Sequence, residues 1–162
     1  MYIRSATRIS LPLAVCEAAL PDAVQRAADS DPSVGFKVGP AAVRKRVRLG
    51  VGPPERLGDW LRIPLAWSAR PGAPLFPVLD GYLQLEPLTP DESRLSLKAT
   101  YQPPLGRLGQ AIDDAALHTI ARATVKDFVD AVRARVLEVA AATESKGGVT
   151  WILPLPISTL AS

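Results

Sequence analysis

Cysteine and histidine are nearly absent: the chain has one of each, Cys16 and His118. A lone cysteine permits no internal disulfide and fits a reducing compartment, so a cytoplasmic location is expected. One His and one Cys, far apart and without C-x-x-C or H-E-x-x-H spacing, do not supply converging zinc ligands. No metal and no cofactor is therefore expected. Aromatics are few and scattered, three each of Trp, Tyr and Phe, and 19 basic residues against 16 acidic give a net charge of only +3. Nucleic-acid modules concentrate basic residues with aromatics, so no nucleic-acid partner is expected. No apolar run reaches the roughly 18 residues of a membrane-spanning helix. There is no Gly-x-Ser-x-Gly elbow for a serine nucleophile, and the glycines of GVGPPERLG lack the Lys-Ser/Thr of a phosphate loop. Near the amino end, Leu13-Ala14-Val15-Cys16 has the outline of a lipoprotein signal box. Val15 is too bulky for it and Glu17 cuts the apolar run short, so no secretion signal is expected.

What remains has ordinary globular composition, 48% hydrophobic and 22% charged, in a length that suits one domain. Its clearest element runs from about Asp113 to Ala142. Leu117, Ile120, Ala121, Thr124, Phe128, Val132, Val136 and Val139 recur at three- and four-residue steps, as one face of a helix does. His118, Arg122, Lys126, Asp127, Asp130, Arg133 and Glu138 fall mostly opposite, while Arg135 lies on the apolar stripe. Asp113 and Asp114 suit the helix start, and Lys146-Gly147-Gly148 is a stop signal.

Before that helix the chain reads as strand, helix and then strands. Residues 2–9 are extended and rich in β-branched side chains. Ser10 can cap a helical segment that Pro21 divides into two short helices, ended by Ser30-Asp31-Pro32. Residues 41–51 set Val43, Val47, Leu49 and Val51 against Arg44, Arg46 and Arg48, with Lys45 interrupting the dry set. Residues 59–69 put Leu61, Ile63, Leu65 and Trp67 on one side, and Pro64 removes a ladder donor, which marks an edge or a bulge. Residues 78–86 separate Leu79, Leu83 and Leu85 from Asp80, Tyr82, Gln84 and Glu86. Residues 94–101 separate Leu95, Leu97, Ala99 and Tyr101 from Arg94, Ser96, Lys98 and Thr100. Hairpin-connected strands with a helix segregated to one face form an α+β pattern.

The stretches FPVLDGYLQLEPL and SRLSLKATYQPPLGRLGQAID, followed by the long helix, carry a resemblance. Tyr101-x-Pro103-Pro104-Leu105-Gly106 is similar to the aromatic-x-Pro-Pro-Leu-Gly that ends the last strand in bacterial members of the START-like, helix-grip (SRPBCC) superfamily. That superfamily includes polyketide cyclases, Bet v 1-like proteins and lipid-transfer domains. The resemblance covers residues 2 to 142. It implies a curved antiparallel sheet wrapped around a long C-terminal helix, with two short helices after the first strand. It also implies a cavity for an apolar ligand between sheet and helix.

The expected arrangement is a helix-grip domain over residues 1–146 and an apolar C-terminal tail over 147–162. The expected function is binding of an apolar small molecule or lipid, for transport or sequestration. No catalytic residue is assigned. The cavity candidates are Trp67, Leu83, Leu85, Leu97, Tyr101, Thr124, Phe128, His118 and Arg135. Aromatic and aliphatic residues with a few polar groups are what line such pockets, although the same residues also make plain core. Lys45 and Arg135 can instead lay their stems on apolar surface and carry their charges to the edge. Arg44, Arg46 and Arg48 read as a solvated stripe paired with acids such as Glu86. Two alternatives stand beside binding: a cyclase or dehydratase acting on a polyketide-like substrate, and a surface-acting interaction module. The tail, VTWILPLPISTLAS, has no charged side chain, and Pro154 and Pro156 favour an extended form. It is expected to lie ordered on its own sheet or to join two copies as a homodimer.

Overall fold

The computed structural model describes residues 2–29, 33–38, 41–69, 78–102 and 114–147. The elements in order are β1 (Tyr2–Ile9), α1 (Leu13–Asp29), β2 (Ser33–Val38), β3 (Ala41–Val51), β4 (Glu55–Leu57), β5 (Trp60–Ala69), β6 (Val78–Thr89), β7 (Glu92–Gln102) and α2 (Asp114–Gly147). The strands form one antiparallel, curved sheet in the order β1-β7-β6-β5-β3-β2, with β4 paired to β5. The architecture is α+β: α2 packs on β1 and β7, and α1 packs on α2.

Register stacks the apolar residues into rungs across one face. Leu61, Leu85 and Leu95 share a rung, then Ile63, Leu83 and Leu97, then Leu65, Gly81 and Ala99, and last Leu49, Trp67, Leu79 and Tyr101. All of these are buried except Leu49 and Gly81, which are partly so. The alternation read from the sequence thus becomes a wall, because residues two apart on a strand share a face. Gly81 has a steric reason for its identity. A Cβ there would stand 2.3 Å from the Lys98 carbonyl oxygen and 2.6 Å from the Ala99 Cβ. β6 and β7 therefore approach more closely here than any side-chain-bearing residue would permit.

Three readings from the sequence change and one, Pro64, is met. α1 is one continuous helix across Pro21 rather than two short ones. Cys16, Ala19, Leu20, Ala23, Val24 and Ala27 make an unbroken buried stripe on both sides of the proline, and that packing outweighs the hydrogen bond it removes. Strands β2 and β4 are additional to those read from the sequence. Pro64 marks the irregularity its missing donor implies: on that side of β5 the register passes from Val51 opposite Leu65 to Glu55 opposite Arg62, an offset of one residue. It lies within β5, opposite the gap between the end of β3 and the start of β4, where Gly52 N–H donates to its carbonyl at 2.8 Å. The N–H and C=O of a strand residue point to the same neighbour, so the missing donor faces that gap. In α2 the buried stripe is Ala121, Val125, Phe128, Val129, Val132, Val136 and Ala140, with Thr124 and Val139 on its flanks. The side chains of Leu117, Ile120, Lys45, Arg44, Arg46 and Arg48, the cap residue Asp113, the Pro103–Gly106 motif and the tail lie outside the described residues.

Candidate functional site

The sheet wall and α2 meet through aromatic rings. Trp67 of β5 and Phe128 of α2 lie edge to face, with centroids 5.1 Å apart and planes at 81°. Such contacts add about 0.5–1.5 kcal/mol to area burial. Phe128 reaches the sheet because it is on the inward stripe of α2. Thr124 is one turn earlier and so shares its side of the helix. Tyr101 is on the same rung as Trp67 with Leu79 between them, and it is buried. Trp67, Tyr101, Thr124 and Phe128 thus occupy one end of the interior.

The other candidates fall elsewhere. Leu83 and Leu97 are two rungs from Trp67 and Leu85 is three rungs away, and all three are fully enclosed. That end is closed by the approach to α1. The Ser93 hydroxyl donates to the Leu11 carbonyl at 2.9 Å, and the buried Cys16 thiol lies 3.8 Å from the same oxygen. Burial pushes the Cys16 thiol above its ordinary pKa, partly offset by the hydrogen bond with Ser93. His118 is half-buried near the start of α2. Arg135 carries its charge outward: its Nη1 donates to Glu138 Oε2 at 2.8 Å on the helix surface. Its stem follows the stripe while its head stays wet, the second of the two readings open from the sequence.

Two polar atoms at the Trp67 end were not legible as a pair in the sequence. Trp67 Nε1 and Thr124 Oγ1 are both buried and both without a hydrogen-bond partner. Leaving a buried donor or acceptor unpaired costs about 1–3 kcal/mol. The sequence signal, in retrospect, is a threonine inside an apolar helical stripe.

The opposite face of the sheet carries a polar layer. The Arg62 guanidinium lies 4.2 Å from the centre of the Tyr82 ring and Lys98 Nζ 5.8 Å from it. Lys98 donates to Gln84 at 2.8 Å, Gln84 to Glu86 at 3.0 Å, and Arg94 to Glu86 at 3.0 Å. Glu86 is thus already engaged by Arg94. A groove of about 400 Å³ between the helices is lined by Asp22, Arg26, Glu138, Val139, Ala142 and Thr143. Its Arg26 is neutralised by Asp22 at 2.8 Å. Among the described residues no group of three or more His, Cys, Asp or Glu is placed to hold a metal, and no helix is long and apolar enough to cross a membrane.

No family model matches the chain, and no curated protein matches it in sequence. Solved structures match in shape. A conserved protein from Geobacillus kaustophilus is 13% identical over 83% of this chain and 94% of its own, with a TM-score of 0.55. The Zhui aromatase/cyclase from Streptomyces sp. R1128 is 14% identical over 92% and 99%, with a TM-score of 0.51. At such identities the likeness defines architecture alone. The chain has the helix-grip fold.

Proposed function

We propose that this protein binds an apolar small molecule or lipid between the inner sheet face and α2. The observation that supports this is the Trp67–Phe128 contact. It is where sheet and helix present aromatic and aliphatic walls to each other, with few polar groups among them. Leu83, Leu85 and Leu97 form the deep floor of the same wall, and Tyr101 and Thr124 supply its polar groups. His118 stands near the start of the helix that forms the opposite wall. Arg135 contributes packing at the margin. Native mass spectrometry after gentle purification, followed by titration with a fluorescent lipid, tests the reading. A co-purifying apolar species, or saturable binding that quenches tryptophan emission, is expected. A protein that carries nothing and binds no lipid overturns it.

A cyclase- or dehydratase-like enzyme is the second reading, and Tyr101 carries it. Tyr101 is buried on the interior wall, and a phenol is a side chain able to pass a proton to a substrate. Turnover of a polyketide-like substrate by the wild type, lost in Tyr101→Phe, distinguishes it from passive binding.

A further inference from the structure

We propose that the Trp67 end of the interior selects an uncharged apolar molecule bearing one oxygen acceptor, such as a ketone or ester. The Trp67 indole N–H and the Thr124 hydroxyl would hold that oxygen. This narrows the binding reading above to a ligand class and rests on it.

Three observations carry the inference. First, Trp67 is 5% exposed and its Nε1, which can only donate, has no partner. Second, Thr124 as a residue is only half-buried, yet its oxygen is enclosed and unpaired. The hydroxyl is therefore the inward end of that side chain. A helical threonine has a local alternative, the carbonyl four residues back. Thr143 takes it, donating to the Val139 carbonyl at 2.9 Å, whereas Thr124 does not. Third, the Trp67–Phe128 contact fixes the indole against the face of α2 that Thr124 shares. The remaining unpaired buried atoms among the described residues are Glu17 Oε1, Arg62 Nε and Ser96 Oγ. Glu17 is bonded to Arg56 through its other oxygen, and Arg62 and Ser96 belong to the outer polar layer. The pair on the inner wall thus stands apart.

A pure hydrocarbon would leave both groups unsatisfied. A carboxylate would need a counter-charge, and Arg135, the cation that sequence spacing puts on the apolar side of α2, is turned to Glu138 at the surface. A neutral oxygen meets both requirements.

Fluorene and fluorenone test this, since they share a planar skeleton and differ by one carbonyl. Affinities are measured by equilibrium dialysis, which needs no tryptophan at the site, and corrected for the solubility of each probe. Wild type is expected to favour fluorenone about tenfold, the value of one or two net hydrogen bonds. Thr124→Val keeps the shape and removes the hydroxyl, while Trp67→Phe removes the N–H together with part of the ring, so the fluorenone-to-fluorene ratio within each variant is the readout. Each should shrink that preference, and together they should bring it near one. Equal wild-type affinities, as when a bound water already serves both groups, overturn the inference and leave apolar binding standing. A preference unchanged in both variants also overturns it. Saturable binding of neither probe overturns the cavity reading and this inference together.

Discussion

Replacing Gly81 by alanine tests whether the close approach of β6 and β7 is as tight as it looks. The added methyl carbon would lie 2.3 Å from the Lys98 carbonyl oxygen, 2.6 Å from the Ala99 Cβ and 2.7 Å from the Ala99 Cα. None of these is the free end of a flexible side chain, so relief requires the strands to part. Forced overpacking costs about 1–3 kcal/mol, and the upper end applies where backbone must move. For a domain of this size about 3 kcal/mol lowers Tm by roughly 6–12 °C. Gly50→Ala is the control: its Cβ would meet the Ala66 carbonyl at 3.6 Å, an ordinary contact. There the loss of unfolded-state freedom should leave stability unchanged or raise it by about 0.4–1 kcal/mol. Thermal and urea unfolding of both variants gives the answer. A Gly81→Ala protein melting with wild type, or a Gly50→Ala protein destabilised as much as Gly81→Ala, refutes the reasoning.

Pro21 is exposed in the middle of α1 and removes a helix hydrogen bond, so Pro21→Ala should stabilise the protein. The gain should stay below the roughly 3 kcal/mol of a free helix, and a fall in Tm would contradict it. The raised Cys16 pKa has a defined sign: the folded protein holds the thiol proton more tightly than the unfolded chain does. Its contribution is full below the ordinary thiol pKa of about 8.5 and is lost as pH rises through the folded value. Urea titrations across alkaline pH should show a shallower decline in Cys16→Ala, and parallel curves would exclude the effect. Deleting residues 149–162 should lower Tm and expose apolar surface to a dye if the tail packs on its own domain. It should instead dissociate a dimer if the tail is an interface, and unchanged melting with rapid amide exchange through the intact tail would refute both.

The strands that alternate cleanly were legible because a period of two has one interpretation when a face is buried. Leu79, Leu83, Leu85, Leu95, Leu97 and Tyr101 all fall on the inner face as their spacing requires. β2 has the same alternation in Val34, Phe36 and Val38, but six residues with a glycine give a weak signal. Pro21 misled, whereas Pro64 marked its irregularity correctly. The cost of a proline depends on where its missing donor would have pointed, and tertiary structure decides that. The α2 stripe was legible in direction but displaced, since Val125 and Val129 are buried and Thr124 is on the flank. Of the site, Trp67, Phe128 and Thr124 could be placed on facing surfaces from pattern alone. That two of their polar atoms lack partners could not, because satisfaction is a property of neighbours rather than of residue type.

The pairing of β1 with β7 has a consequence for how the chain is assembled. Tyr2 faces Thr100 and Ile9 faces Ser93, so β1 finds its partner 84 to 98 residues later in the chain (93 − 9 and 100 − 2). Each such contact pays the entropy of a long closed loop before it gains any hydrogen bond. The β6–β7 hairpin, joined by a turn at Pro90 and Asp91, has no such penalty. During synthesis β1 must therefore wait, without its β7 partner, until β7 has emerged. Arg133 of α2, donating to the Arg8 carbonyl at 2.8 Å, then fastens that strand in place from a helix that lies later still in the chain.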